Sequence, residues 1–561
     1  MITYYLSANF PPMNYLILLV IGILGYILYR YFFKKYEPKS IDQIRASWGV
    51  PKEENFDFEK IGFFWKYHSE IDFFEINEQT QKDLDFTALF SFIDRTTSRP
   101  GQQFLYHILK RPTNNLQELK QRDSNANFFK EKIDLRETIQ KHLRHLNSYE
   151  SYFIPLLLKG RMMNKPKWFF VFYLDIFLII LLIFLSIKIH LFILGLILLF
   201  SINNAYSFLK NKDYIFQLSN GFTQLNILIN VCKKILPHPI PFQKDKTLFA
   251  LSQLKELQRK INIVYYGDDG RDNDDIGKLP IYIFTLLKGM FLVEVFVLES
   301  ILKELEKNKE NILNLFEYIG NLDLAISIAS LRDGKLKYCT PEFIKEEKSL
   351  KVKNIQHPLI QDCIENSLEV KGKSVLITGS NMSGKTSFLR TLGINTLLAQ
   401  TLFTCFAEEF KSPFLLVLSS IQIDDNLFEG KSYYLAEVEV IGKLVEKAKE
   451  SHQTLFILDE VFKGTNSQER IAAGKSILSY LNQKNHLVFV ATHDLELSTM
   501  LMNEFDLYHF SEDIQNDELN FDHKIKPGPL KTTNAIKILE LYHFPKEITQ
   551  EAQLLRGQIF S

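Results

Sequence analysis

Residues 379–386 carry the strongest chemical pattern in this chain of 561 residues. They match G-x-x-x-x-G-K-[ST], in which glycines let the backbone fold tightly and point its N–H groups at phosphate oxygens. A β-prone run precedes the pattern at 374–378, and a helix-like run follows at 386–400, whose N-terminal dipole would face the phosphates. The pattern predicts an ATP-phosphate site composed of Gly379, Ser380, Asn381, Met382, Ser383, Gly384, Lys385 and Thr386.

Two further strand ends supply acidic and imidazole side chains. The apolar run 454–458 ends in Asp459 and Glu460, and the run 487–491 is followed closely by His493. One carboxylate can hold Mg²⁺ and the other can polarise an attacking water. The imidazole can sense the γ-phosphate or position that water, although a single histidine after a strand is also found as an ordinary surface residue. The sequence predicts ATP hydrolysis with Mg²⁺ held by Thr386 and Asp459 and with catalysis by Lys385, Glu460 and His493.

These residues need a scaffold that brings several strand ends together. Short β-prone runs at 374–378, 414–418, 454–458 and 487–491 alternate with helix-like stretches such as 434–450. Such alternation is typical of a largely parallel sheet covered by helices. Upstream, residues 85–94 and the face shared by Leu225, Leu228, Ile229 and Cys232 show helical spacing. We expect an α/β P-loop domain that follows a mostly helical region.

At these motifs the chain resembles the MutS family of ATPases. The segment 378–386 is similar to the family's T-G-P-N-M-G-G-K-S, 459–465 to its D-E-L-G-R-G-T, and Thr492-His493 to its T-H switch. Two upstream stretches, 84–112 and 322–343, resemble the start and the end of the family's helical core. The resemblance implies a MutS/ABC-like ATPase domain that lies C-terminal to a MutS-like core.

The resemblance also implies further site residues and a partner. The segment 420–437 is similar to the family signature that completes a neighbouring subunit's site, so Ser432 is implied to contact the γ-phosphate in trans within a homodimer. The segment 521–528 is similar to the one whose histidine packs on adenine, which implies that role for His523. The substitutions at Phe462-Lys463 leave the role of that loop open, and no match to the family's mismatch-reading or connector domains is present in the sequence.

Three apolar runs predict membrane helices. No charged side chain occurs from 1 to 29, and the apolar run 15–29 predicts a span at about 13–33. Arg30, Lys34 and Lys35 follow that run, which is the reverse of the order in a cleaved signal peptide. The run 168–203 has positive flanks on both sides and Lys188 with His190 at its centre, which favours a membrane hairpin over a buried helical hairpin. Three transmembrane helices would place the ATPase domain in the cytoplasm and the chain in the cell membrane as a multi-pass protein.

The expected organisation follows from these features. It consists of an N-terminal anchor at 1–35, a cytosolic helical segment at 36–165, a hairpin at 166–205, a helical core at 206–345, the ATPase domain at 346–545 and a helical tail at 546–561.

Composition limits the range of partners. Lys+Arg and Asp+Glu both number 66, so net charge alone does not support nucleic-acid binding, and Lys255, Arg259 and Lys260 are either a basic patch or a solvated helix face. The four cysteines form no C-x-x-C pair, so no zinc site or disulfide framework is expected. The leading hypothesis is a membrane-anchored ATPase coupled to DNA, as in mismatch repair or recombination. The alternatives are an ATP-driven switch that moves membrane helices or a protein partner, and a scaffold with a silent nucleotide site.

Overall fold

The computed structural model describes residues 41–68, 74–158, 212–242, 244–264, 293–380, 382–422, 433–463, 465–515, 518–530 and 535–559, with three single residues at 177, 181 and 195. Apart from those three single residues, the three predicted membrane segments lie outside the described residues, as do Asn381 and Ser432. The chain divides into two units, Met1–Arg45 and Ala46–Ser561. The described residues of the first unit belong to helix α1 (Ile41–Ala46).

Helices form the region that precedes the sheets, as the spacing of apolar residues predicts. They are α2 (Phe58–Ile61), α3 (Phe63–Tyr67), α4 (Glu78–Asp83), α5 (Phe86–Ile93), α6 (Arg99–Lys110), α7 (Leu116–Glu131), α8 (Ile133–Leu143), the 3₁₀ segments Arg144–Leu146 and Tyr149–Leu158, α9 (Lys212–Ile235), α10 (Asp245–Gln253), α11 (Lys255–Val264), α12 (Val293–Lys307) and α13 (Lys309–Arg332).

Helix α13 is the centre of this helical core. It packs against α6, α7 and α10. At its closest approach to α6, a Cβ on Gly101 would lie 2.1 Å from the carboxylate of Asp323, so only glycine fits there. That buried carboxylate accepts the backbone N–H groups of Thr97 and Ser98 at 2.8 and 2.7 Å, and it thereby ties the start of α6 to α13. Two distant parts of the sequence form one packed body in this way.

Among the described residues, α13 is also the one helix long and apolar enough to cross a membrane by length and composition. In its 18-residue apolar window, 78% of the residues are buried inside the protein.

The C-terminal part contains the sheets and the helices that cover them. The elements are β1 (Glu342–Phe343), β2 (Ser349–Ile355), β3 (Asn366–Lys371), β4 (Ser374–Thr378), α14 (Lys385–Thr401), β5 (Glu409–Ser412), β6 (Leu416–Ser420), α15 (Tyr433–Lys447), β7 (Thr454–Asp459), α16 (Ser467–Leu481), β8 (Leu487–Thr492), α17 (Leu495–Leu501), β9 (Phe505–His509), β10 (Glu512–Gln515), β11 (Glu518–Phe521), β12 (Lys526–Pro527), α18 (Ala535–Leu541) and α19 (Lys546–Ile559).

The main sheet has the strand order β12-β9-β4-β8-β7-β6. All neighbours pair in parallel except β12, which is antiparallel to β9, so the expected largely parallel sheet is confirmed. The carboxyl ends of β4, β7 and β8 consequently meet at one edge, with Thr378 paired to Thr492 and Asp459 paired to Ala491. Both faces of these strands are buried, as their continuous apolar runs require.

Two smaller sheets complete this part of the chain. Strands β1, β5, β2 and β3 form a four-stranded sheet in the order β1-β5-β2-β3, and β10 pairs with β11 as a hairpin. Strand β1 at Glu342–Phe343 lies within the segment expected to belong to the helical core, and it pairs with β5 of the α/β part.

Polar side chains join the helical core to the α/β part. Arg332 at the end of α13 donates to the hydroxyl of Thr404 at 3.0 Å and to the carbonyl of Phe403 at 2.9 Å. Asp83 at the end of α4 accepts the hydroxyl of Ser419 at 2.7 Å and the backbone N–H of Ile421 at 3.0 Å. The helical core therefore binds the C-terminal end of β6, where the predicted signature segment begins.

Candidate functional site

The loop that connects β4 to α14 is shaped by its glycines. Gly379 and Gly384 have φ angles of 147° and 108°, a region that residues with a Cβ rarely adopt. A Cβ on Gly379 would also lie 2.7 Å from the carbonyl oxygen of Phe510. The loop leads directly into the N-terminus of the 17-residue helix α14. Free backbone N–H groups at such a terminus can bind phosphate.

Lys385 lies inside this loop. Its Nζ donates to the carbonyl oxygens of Gly379 and Ser380, both at 2.7 Å, and lies 3.4 Å from Nε2 of His493. The residue is 2% exposed, and this burial lowers the pKa of its ammonium group to about 8, although Asp459 and Glu460 oppose the shift. The ammonium therefore stays mostly protonated at neutral pH, as a phosphate ligand requires.

Thr386 and Asp459 meet at the next position along the sheet edge. The hydroxyl of Thr386 donates to Oδ2 of Asp459 at 2.6 Å. A hydroxyl and a carboxylate oxygen are ligands that suit Mg²⁺, which commonly completes its shell with water and nucleotide oxygens. Among the described residues, no group of three or more His, Cys, Asp or Glu side chains could hold a metal ion alone. The pair thus fits a Mg²⁺ ion that arrives with a nucleotide.

Glu460 and His493 contact each other where β7 and β8 end. Nε2 of His493 lies 3.0 Å from Oε1 of Glu460, and Nζ of Lys463 lies 3.5 Å from Oε2. The hydrogen bond with His493 and the charges of Lys463 and Lys385 lower the pKa of Glu460 to about 2. The backbone N–H of Glu460 is fixed by the carbonyl of Ala491 at 2.8 Å. Glu460 is therefore a carboxylate at neutral pH and a hydrogen-bond acceptor suited to a water molecule.

The loop behind Glu460 is held by Glu437 of α15. Glu437 is 1% exposed, and its Oε1 accepts the backbone N–H groups of Phe462 at 2.5 Å and of Lys463 at 3.3 Å. Phe462 has a φ of 64°, which is costly for a residue with a bulky side chain. Its ring packs on Tyr434 with centroids 5.7 Å apart. A buried carboxylate therefore keeps this loop in a strained conformation next to the predicted catalytic residue.

The side chains of Glu512 and His523 also contact the loop between β4 and α14. Oγ of Ser380 donates to Oε2 of Glu512 at 2.9 Å. Nδ1 of His523 lies 3.0 Å from the carbonyl oxygen of Ser383, and a Cβ on Gly384 would lie 3.2 Å from the same nitrogen. His523 is thus placed against the loop, where its ring stacks with that of Phe521 at 5.9 Å.

The structure brings together most of the residues predicted from the sequence. The catalytic and metal-binding candidates lie along one sheet edge in two groups, within which side chains are in hydrogen-bond distance: Lys385 with His493 and His493 with Glu460, and Thr386 with Asp459. Met382 projects outward with 71% exposure, so its side chain is remote from the loop interior. Three further residues contact the site or its loops although the sequence predicted no role for them there: Glu437, Lys463 and Glu512.

Comparisons with known proteins match the same part of the chain. The family model for MutS domain V matches residues 375–559, which include the loop, both carboxylates and His493. A DNA mismatch repair protein MutS of Thermus thermophilus is 27% identical over 323 residues, which are 56% of this chain and 36% of that protein. MutS of Staphylococcus saprophyticus is 30% identical over 249 residues, which are 42% of this chain and 28% of that protein.

The matched region of these relatives is limited. MutS of Petrotoga mobilis is 28% identical over 280 residues, 48% of this chain and 34% of that protein. The chain thus spans about a third of the length of the curated relatives that it matches. The matched third includes the domain whose sheet edge carries the candidate site. In its C-terminal part the chain thus carries a region that matches MutS domain V, and it is similar there to DNA mismatch repair proteins MutS.

Proposed function

We propose that this chain is a Mg²⁺-dependent ATPase whose active site is the edge formed by β4, β7 and β8. The observation that carries the proposal is the contact of two independent pairs at that edge. Thr386 touches Asp459, and His493 touches Glu460, with Lys385 next to the histidine. Such an arrangement supplies phosphate binding, metal binding and water activation within one site.

Each side chain has a defined part in the proposed reaction. Lys385 exchanges the two loop carbonyls for oxygens of the β- and γ-phosphates, while Thr386 and Asp459 hold the ion. Mg²⁺, when bound with ATP, neutralises charge on the phosphate oxygens. Glu460 orients and polarises the attacking water, and His493 fixes the orientation of that carboxylate.

We further propose that the chain acts as a membrane-anchored homodimer coupled to DNA. The dimer follows from the signature segment, whose Ser432 would complete the partner's site. The relatives are described as DNA mismatch repair proteins, which supports DNA as the effector. The apolar runs at about 13–33 and 168–203 support a multi-pass location in the cell membrane with the ATPase domain in the cytoplasm. Of the basic candidates on α11, Lys260 is paired with Glu256 at 3.1 Å and with Glu304 at 3.5 Å, so this helix face carries less free positive charge than its sequence suggests.

A second function, an ATP-driven mechanical switch without DNA, is favoured by the contacts of Asp83. This buried carboxylate binds the end of β6 through Ser419, Ile421 and Gln422. A movement of the chain after β6 would therefore pull on α4 of the helical core. The predicted membrane hairpin is inserted into that core, between 158 and 212, and would be the moving part.

The ATPase rate of the full chain in detergent discriminates the two functions. It is measured alone, with homoduplex, mismatched and branched DNA, and with lipid vesicles, and Glu460→Gln serves as the blank. A several-fold, salt-sensitive stimulation by DNA supports the first function, because phosphate contacts weaken as salt rises. Stimulation by lipid with indifference to every DNA supports the second. The absence of any turnover above the blank overturns both.

A further inference from the structure

A cavity of about 420 Å³ lies where the helical core meets the α/β part, and its lining includes no residue of the 379–386 loop. Its walls come from residues 48–51, from Phe92 in α5 and Arg95 just after it, from Leu331 in α13 and residues 333–336 after that helix, and from Phe406 before β5. Small-molecule pockets have volumes of about 300–1,000 Å³. The cavity is therefore large enough for a small organic ligand.

Arg95 places a positive charge in the cavity wall. The residue is 7% exposed, and its Nη1 donates to the carbonyl oxygens of Phe92 and Asp94. Its buried Nε has no hydrogen-bond partner, and within the described ranges no carboxylate forms an ion pair with its guanidinium. The nearby carboxylate of Asp94 is already bound by Lys52 and Gln102, both at 2.7 Å. Burial lowers the pKa of Arg95 to about 10, so the group remains charged at neutral pH.

The remaining charges of the wall do not offset Arg95. Asp333 is the one carboxylate among the described lining residues. Its Oδ1 pairs with Lys130 at 2.6 Å and its Oδ2 accepts the indole N–H of Trp48 at 2.9 Å. Lys335 adds an exposed ammonium group to the same wall. The lining thus carries surplus positive charge. The charge of Asp94 acts on Arg95, but that carboxylate is shared with Lys52 and Gln102, and a buried cation is stabilised further when an anion pairs with it directly.

Three aromatic rings, those of Trp48, Phe92 and Phe406, form part of the remaining surface, together with aliphatic residues and glycines. Phe92 meets Phe406 edge to face, with ring centroids 6.0 Å apart. The guanidinium of Arg95 lies 5.6 Å from the Phe92 ring centroid, and that of Arg136 stacks on Trp48 at 3.5 Å. Flat apolar walls with a few convergent polar groups are typical of pockets for planar organic ligands.

We propose that this cavity is a binding site for a small organic anion with a flat body. Its carboxylate or phosphate group pairs with Arg95, with Lys335 at the wall, and its ring lies between Trp48, Phe92 and Phe406. An occupant would contact both α5 of the core and the connection from α13 to the α/β part. The site is independent of ATP hydrolysis, so it stands or falls separately from the proposed function.

Calorimetric titration of the full chain in detergent tests the site with benzoate, phenyl phosphate and uncharged benzyl alcohol. We expect benzoate or phenyl phosphate to bind, and benzyl alcohol to bind at least tenfold more weakly. Arg95→Gln is expected to weaken anion binding about tenfold or more, because a charge-assisted hydrogen bond is lost. Lys335→Gln, an exposed change that leaves packing intact, is expected to weaken it about threefold. The exposed Arg259→Gln on α11 is the matched control and should bind as the wild type does.

The three ligands distinguish the possible outcomes of the titration. Preference for benzoate identifies a carboxylate ligand, and preference for phenyl phosphate identifies a phosphate ligand. If benzyl alcohol binds as well as benzoate, the cavity is only an apolar cleft and the proposal is wrong. Absence of anion binding up to about 10 mM also overturns it, as does unchanged affinity in a folded Arg95→Gln and in Lys335→Gln.

Discussion

Replacement of Glu437 with alanine is expected to slow ATP hydrolysis about 100-fold while nucleotide affinity stays nearly unchanged. Glu437 is not among the predicted phosphate ligands. It accepts the N–H groups of Phe462 and Lys463, immediately after Glu460. Its removal therefore acts on the position of the catalytic carboxylate and leaves the phosphate loop in place.

The magnitude follows from these contacts. A hydrogen bond to a charged group contributes about 1.5–3 kcal/mol, and the bond from Lys463 at 3.3 Å is the weaker of the two. The two hydrogen bonds together contribute about 2–4 kcal/mol, which is enough to offset the cost of about 1–3 kcal/mol for holding Phe462 at a φ of 64°. Without them this conformation is no longer stabilised. The loop would then relax, and a displacement of about 1 Å at a catalytic group costs about 100-fold in rate.

The assay is phosphate release by the full chain in detergent, with fluorescent-nucleotide binding measured on the same samples. Glu437→Gln keeps a carbonyl acceptor, so its rate should fall only about tenfold. Glu439→Ala removes an exposed carboxylate from the same helix and should stay within about twofold of the wild type. A folded Glu437→Ala protein with a rate within about twofold of the wild type would refute the positioning role.

Three further results are expected. ATP affinity should fall as pH rises from 7 to 9, by up to about tenfold per pH unit above 8. The reason is that burial lowers the pKa of Lys385 to about 8 and only its protonated form pairs with phosphate. Fluorescence titration measures this affinity, and the Lys385→Met variant should bind ATP weakly with no such pH dependence. Gly101→Ala should lower the free energy of unfolding by more than about 3 kcal/mol, since its Cβ would lie 2.1 Å from Asp323. Thermal melts of this variant test the prediction. Gly442→Ala, at a helical glycine with open space around it, is the control. Thr386→Val should raise the Mg²⁺ concentration for half-maximal hydrolysis about tenfold, because it removes the hydroxyl next to Asp459, and an unchanged Mg²⁺ requirement would contradict the assigned metal site.

Local patterns were sufficient to predict the strands and helices that carry the site. Strand β4 has the predicted bounds Ser374–Thr378, and β7 and β8 each extend one residue beyond the predicted runs. Helix α14 spans Lys385–Thr401 around the predicted 386–400. These elements combine an apolar run with a motif at its end, so periodicity and glycine placement act on the same few residues.

Long-range contacts account for what the sequence did not reveal. The run predicted at 414–418 begins its ladder only at Leu416, because Phe414 stacks on Phe343 at 4.0 Å and Leu415 bonds to the side chain of Gln400. The antiparallel pairing of β12 with β9 depends on partners far apart in the chain. Glu437 belonged to the signature resemblance, yet no spacing rule connects it to Phe462, 25 residues away.

The central claim, that the β4-β7-β8 edge hydrolyses ATP, is tested most directly by comparing wild type and Glu460→Gln in one experiment. Fluorescent-nucleotide binding and Mg²⁺-dependent phosphate release are measured on the same preparations of the full chain. We expect both proteins to bind nucleotide and the glutamine variant to turn over at least about 100-fold more slowly, since a neutral amide polarises the attacking water much less than a carboxylate does. Equal phosphate release by the two proteins, or nucleotide binding by a wild type that never turns over, would contradict it.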